Sequence, residues 1–231
     1  MTARARWKEL CLDTTGGHDI GRFYADVLGL RFEPDEEDGA VVGDVEGQGI
    51  AICRVPEEKS VKHRVHLDVH AASIQELVDA GAAVVLPAEE SGFPWTVMRD
   101  PDGGEFCAFL RQSPPDYRFF QLVVDAVDAE EIARWWAEVF ATEPESHDTP
   151  EWWGIRNVPG MPFEAITFGR VPEPKTVKNR IHWDVYADPG VMEAAGATLL
   201  RAKDDEIRWH VMADPEGNEF CVFEPRDEMD A

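Results

Sequence analysis

Basic residues are scarce in this chain. Only 22 Lys and Arg stand against 46 Asp and Glu in 231 residues, a formal net charge of −24. Such a field repels phosphate backbones and anionic lipid surfaces, so neither a nucleic-acid nor a membrane partner is expected. Long apolar runs are also missing. None approaches the roughly 20 residues that cross a bilayer, and the opening MTARARWKEL lacks the apolar centre of a signal peptide. A cytoplasmic protein is expected. Cysteine is limited to Cys11, Cys53, Cys107 and Cys221, with no CxxC pair. Each lies in an apolar, strand-like run, so buried free thiols are expected and disulfides are not. There is no GxSxG, no GxGxxG and no P-loop, which leaves out the common serine nucleophile elbow and the common nucleotide cofactors.

What the chain does have is an internal repeat. Residues 54–69 read RVPEEKSVKHRVHLDV and residues 170–185 read RVPEPKTVKNRIHWDV; residues 95–109 read WTVMRDPDGGEFCAF and residues 209–223 read WHVMADPEGNEFCVF. Two ordered matches at nearly one offset mark a duplication. The polar, Pro-rich stretch Gln112–Asp116 separates the halves, giving expected domains at 1–113 and 117–231. In the first half, alternation over Trp7–Asp13 predicts a strand. Ile20, Phe23, Tyr24 and Val27 recur at helical spacing with Gly29 as a stop. Three strand-like runs follow, and then a second strand–helix–three-strand set. In the second half, Asp128 with Glu131 opens the equivalent helix as a capping box, and Ile132, Trp135, Trp136 and Val139 form its apolar stripe. The fold class is therefore α+β, with eight strands and two helices in each half.

These residues carry a family resemblance. GRFYADVLGL (21–30) resembles the helix motif of the vicinal oxygen chelate superfamily, which includes glyoxalase I, bleomycin-resistance proteins and extradiol dioxygenases. DPDGGEF (100–106) and DPEGNEF (214–220) are similar to that superfamily's turn before its last strand. KHRVHLD (62–68) and KNRIHWD (178–184) resemble a glyoxalase-like subfamily. The resemblance implies a tandem duplicated fold in which each half is two βαβββ modules forming a curved mixed sheet around a concave pocket. It also implies a divalent metal in that pocket, acting as a Lewis acid on a substrate oxygen. By position, the first-strand ligand falls on Glu9 and Gln121, the second-module ligand on His66 and His182, and the last-strand Glu on Cys107 and Cys221. That last position departs from the family, because Glu105 and Glu219 stand two residues early. Either cysteine replaces the carboxylate, giving a Glu9, His66 and Cys107 set suited to zinc or another divalent metal in the first domain, or the metal is lost.

Alternation puts further polar groups on the same wall. Arg64, Asp68 and His70 flank His66; Arg180, Asp184 and Tyr186 flank His182; Cys11 and Asp13 follow Glu9. In the functional reading His66 is a ligand or general base, Glu9 is its partner and Arg64 stabilises an oxyanion. Asp68, His182, Gln121, Arg180, Asp184, Trp95 and Trp209 then contribute to ligand binding. In the structural reading, Arg64–Asp68 and Arg180–Asp184 are ion pairs along one strand. His18, His63 and His147 are assigned to solvent, and one ring of Trp152–Trp153 is expected to face the cavity. Two functions compete. One is a metal-free or weakly metal-binding protein that sequesters a small metabolite, and the other is a metal-dependent lyase, isomerase or dioxygenase using the first domain. The expected assembly is a monomer with pseudo-dimeric halves, or a homodimer.

Overall fold

The structure, a computed structural model, describes residues 2–147 and 149–225. Strand periodicity sorts the first strand, β1 (Ala5–Thr14), into two faces. Leu10 and Leu12 are buried toward the helices, while Glu9, Cys11 and Asp13 look the other way. Next comes α1 (His18–Leu28), closed by Gly29 in the left-handed region at φ 71°. The first module ends with β2 (Arg31–Asp35), β3 (Asp38–Val42) and β4 (Ile50–Arg54). The second module contains β5 (Val65–Ala71), α2 (Ile74–Asp79), β6 (Ala83–Leu86), α3 (Ala88–Ser91), β7 (Thr96–Arg99) and β8 (Glu105–Leu110). The short α3 is additional to the two helices that periodicity predicts for this half.

The second half repeats the plan with β9 (Phe119–Ala126), α4 (Ala129–Phe140), β10 (Pro144–Ser146), β11 (Trp152–Ile155) and β12 (Ala165–Arg170). Its last module is β13 (Ile181–Ala187), α5 (Pro189–Ala194), β14 (Thr198–Arg201), β15 (His210–Ala213) and β16 (Glu219–Phe223). The Asp128 carboxylate accepts from the Glu131 amide at 3.0 Å and caps α4. Where α1 ends on glycine, α4 ends on Ala141, held in the left-handed region at φ 52°. A Cβ is disfavoured there by about 1 kcal/mol. Ala141→Gly is therefore expected to raise stability by about 1 kcal/mol, read from the urea midpoint.

The strands form two eight-stranded mixed sheets. Sheet I runs β14-β15-β16-β13-β1-β4-β3-β2 and sheet II runs β10-β11-β12-β9-β5-β8-β7-β6. Each sheet thus joins one module from each half. β1 pairs antiparallel with β13, and β5 with β9. The connections explain this. β8 and β9 flank β5, so the linker between the halves has only one strand to cross, and the 55–64 segment carries the chain from sheet I to sheet II.

Helices bind the sheets together from behind. Tyr24 of α1 is fully buried, and its hydroxyl donates to Asp100 Oδ2 at 2.9 Å in the β7–β8 turn of sheet II. Trp136 of α4 donates through Nε1 to Asp214 Oδ2 at 3.1 Å in the equivalent turn of sheet I. Each turn aspartate also collects backbone amides, Gly104 at 2.7 Å and Asn218 at 2.9 Å. The repeated DP-turn motif is thus a socket for an aromatic donor. Burial pushes the Asp214 carboxyl up to about 6 against the pull of these donors. A raised carboxyl stabilises the fold in its protonated form, so its contribution is complete below the unfolded value of about 3.9 and is lost as pH rises through about 6. A carboxyl carbon NMR titration should place the Asp214 midpoint near 6; a midpoint at the ordinary aspartate value would contradict the burial.

Candidate functional site

The two candidate faces, those turned away from the helices, lie on the two sheets, and this changes which residues meet. β5 and β8 belong to sheet II and β1 belongs to sheet I. The expected set of Glu9, His66 and Cys107 therefore does not converge, because modules pair between the halves and not within one. Glu9 faces Asp184 across the β1–β13 pair, in company with His182 and Cys221. Gln121 faces Asp68 across the β5–β9 pair, in company with His66 and Cys107.

On sheet II, His66 Nε2 lies 3.5 Å from Asp68 Oδ1 and 3.7 Å from Cys107 Sγ. Gln121 Nε2 donates to Asp68 Oδ2 at 2.7 Å, and its carbonyl accepts from Thr167 Oγ1 at 3.0 Å. Asp68 Oδ1 and His66 Nδ1 are buried without a hydrogen-bond partner. Burial lowers the His66 pKa to about 3, aided by the Lys62 charge, so the imidazole is neutral and its contact with Asp68 is not an ion pair. Burial also raises Asp68 to about 7 and pushes the Cys107 thiol well up. Farther along the face, His70 stacks on Phe120 at 4.6 Å, and Phe109, Trp95 and Phe93 continue an aromatic wall. The Trp152 ring lies over Gly169 of this sheet.

Sheet I presents the corresponding His182, Asp184 and Cys221, but with a resident cation. The register of β1 on β13 slips between Trp7 and Glu9, a bulge that brings Lys8 onto the face of Glu9 and Asp184. Its ammonium pairs with the Glu9 carboxylate, lies 3.3 Å from Asp184 Oδ2 and sits 4.2 Å over the Phe223 ring. Trp209 stacks on Phe223 behind it. Strict alternation would turn Lys8 to the opposite face, and the sequence reading did not single it out; no local signal announces the bulge.

The arginines also differ from both readings of them. Arg64 donates to the carbonyls of Glu173 at 2.7 Å and Asp125 at 3.0 Å. Arg180 donates to those of Glu57 at 2.6 Å and Asp13 at 2.9 Å, with Asp102 at 3.4 Å. They do not pair with Asp68 or Asp184. Instead they clasp one half to the other about a pseudo-two-fold axis, beside a cavity of about 830 Å³ between the 55–65 and 171–180 segments. The repeated lysines Lys59 and Lys175 hold Glu105 at 3.0 Å and Glu219 at 2.6 Å. Much of the KHRVHLD and KNRIHWD similarity is therefore structural. His63, expected in solvent, is buried with neither ring nitrogen paired. It packs beside Gly104, where the other half has Asn179 bonded to Asn218.

With this geometry in view, the sequence profile of the glyoxalase-like domain matches residues 9–109 and again 121–223. The chain belongs to the glyoxalase-like domain family. No curated protein matches it. Among solved structures, glyoxalase I from Zea mays superposes with a TM-score of 0.64 at 11% identity, covering 95% of this chain and 92% of that one. A proposed dioxygenase of Bacillus subtilis subsp. subtilis str. 168 superposes with a TM-score of 0.67 at 13% identity, covering 98% and 87%. At such identities the likeness shows the fold, a tandem vicinal oxygen chelate arrangement, and leaves the chemistry to the site. Among the described residues no helix is long and apolar enough to cross a membrane.

The divalent metal that the resemblance implies sets a fit test. Donors about 2.0–2.3 Å from a tetrahedral zinc lie about 3.3–3.8 Å apart. The sheet II edges of 3.5 and 3.7 Å fall in that range, and the unpartnered Asp68 Oδ1 is one of the atoms concerned. His66, Asp68 and Cys107 therefore fit a zinc-like ion, with Asp68 in the part expected of Glu9. On sheet I the ammonium of Lys8 repels a dication from the same place.

Proposed function

We propose that this glyoxalase-like protein binds a small, uncharged or cationic metabolite on the concave face of sheet II and holds divalent metal there only weakly. The convergence of His66, Asp68 and Cys107 beside the His70–Phe120 aromatic wall carries this reading. The cluster offers hydrogen-bonding groups at one end and flat apolar surface at the other, the usual composition of a small-molecule site. The net charge of −24 disfavours anions. Metal uptake would have to displace the Cys107 proton and desolvate a set with a single carboxylate, which lowers affinity at neutral pH. The first strands of the four modules already pair between the halves, β1 with β13 and β5 with β9, so we take the working form to be a cytoplasmic monomer with pseudo-dimeric halves.

A second reading, metal-assisted lyase, isomerase or dioxygenase chemistry, is favoured by the zinc-like spacing of the three donors. In that case the ion would supply a Lewis acid, His66, Asp68 and Cys107 would hold it, and Gln121 would orient Asp68. Cobalt discriminates between the readings. Protein purified without chelator is expected to carry well under one equivalent of metal. Added Co(II) should give a sulfur-to-metal charge-transfer band that a mild competitor such as citrate removes. The sheet II part of that band should vanish in Cys107→Ser and His66→Ala. A stoichiometric metal that survives citrate, and that Cys107→Ser or His66→Ala removes, would replace the binding reading by the catalytic one.

A further inference from the structure

We infer that Cys11, Cys53 and Asp13 form a separate site for a thiophilic cation on the floor of sheet I. The two sulfurs lie 3.4 Å apart although 42 residues separate them in sequence. Two sulfurs each about 2.3 Å from a zinc-like ion stand about 3.4–3.8 Å apart at S–metal–S angles of about 95–110°. An Asp13 carboxylate oxygen lies within 4.8 Å of both sulfurs, as the sulfurs do of each other; Asp13 also pairs with the ammonium of Lys178, whose side chain is 59% exposed and can swing away to solvent when an ion enters.

Adjacent strands build this cluster. β1 and β4 pair in parallel with Asp13 opposite Cys53 and Cys11 opposite Ala51, so the thiols meet on a diagonal. Both cysteines are free thiols in this arrangement, so both sulfurs are available to a shared ion. His182 faces Cys11 across the β1–β13 pair and leaves Nδ1 unpartnered, a nitrogen donor on the same floor. Cys11 is buried, whereas Cys53 is partly exposed and gives an ion a way in.

The duplication supplies the control. In sheet II the positions of Cys11 and Cys53 are held by Val123 and Gly169, while Asp125 matches Asp13. The scaffold builds the same strand pair there without sulfur. The thiol pair is therefore not a requirement of the fold. It also lies on the other sheet from His66, Asp68 and Cys107, so either site can fail without the other.

The test uses cadmium as the probe and the full chain. In Cys107→Ser/Cys221→Ser protein, where only Cys11 and Cys53 remain, Cd(II) is expected to give a saturating sulfur-to-cadmium charge-transfer band at one equivalent. Adding Cys53→Ser should weaken binding about 100-fold or more, since even outer-shell changes cost about 10- to 100-fold. In the same Cys107→Ser/Cys221→Ser protein, one equivalent of Cd(II) should slow alkylation of Cys53 by iodoacetamide at least about tenfold, read by peptide mass spectrometry. Absence of the band, its survival in Cys53→Ser, or unchanged alkylation would each overturn the site.

Discussion

Trp136→Ala is expected to lower the unfolding free energy by about 4 kcal/mol or more, the upper part of the range for large aromatic truncations. Trp136 is fully buried and is the hub of the second half. Its ring meets Trp183 at 5.2 Å, Phe220 at 5.1 Å and Phe140 at 5.2 Å. Trp183 and Phe220 belong to sheet I, whereas α4 also packs on β11 and β12 of sheet II. The truncation opens a cavity where the two sheets share one core. It also removes the indole donor to Asp214, leaving a buried carboxylate less satisfied at neutral pH. A domain of this kind has about 5–15 kcal/mol in total, so the variant should approach the folding threshold. Trp135→Ala supplies the contrast. That neighbour is half-buried and donates to the Ala195 carbonyl at 2.7 Å, so its loss should cost about 1–2 kcal/mol. Urea unfolding followed by circular dichroism measures both. Equal losses would mean that the Trp136 cluster is not the hub its geometry indicates.

The fold was legible because its signals are local and doubled. FYADVLG and DPDGGEF each encode an element that recurs in the second half, and Tyr24 meets Asp100 as Trp136 meets Asp214. Which module pairs with which was not legible, since β5 has the same alternation whether β1 or β9 lies beside it. That one uncertainty decided the site. His66, Asp68 and Cys107 were each singled out, yet Glu9 was grouped with them when its neighbours are His182, Asp184 and Cys221. Arg64 and Arg180 fall on strand starts, where periodicity gives the face but not the reach. Their guanidinium groups extend to carbonyls of the other half. Lys8 escaped for a third reason: a bulge changes the parity of a strand without changing its composition.

Lys8 also yields the prediction that bears most directly on chemistry. Its ammonium stands between Glu9 and Asp184, with Asp184 buried. Lys8→Met keeps most of the stem's packing and deletes the charge. Two carboxylates then face each other without a counter-ion, and removing one partner of a buried pair costs about 3–5 kcal/mol. Glu9 keeps some contact with solvent, its side chain 28% exposed, so a loss of about 2 kcal/mol is expected here after allowing for screening. The instability invites a replacement cation. In Lys8→Met, but not in the unmodified protein, millimolar Ca(II) or Mn(II) should restore most of the lost stability, because hard divalent ions take oxygen ligands readily and binding only to the folded state stabilises it by mass action. Lys8→Met/Glu9→Gln should need less rescue and show less. The measurement is the shift of the thermal midpoint with added metal at fixed ionic strength. Equal shifts in Lys8→Met and the unmodified protein would show that Lys8 does not hold the place of a metal, and the contrast between the two sheets would then need another cause.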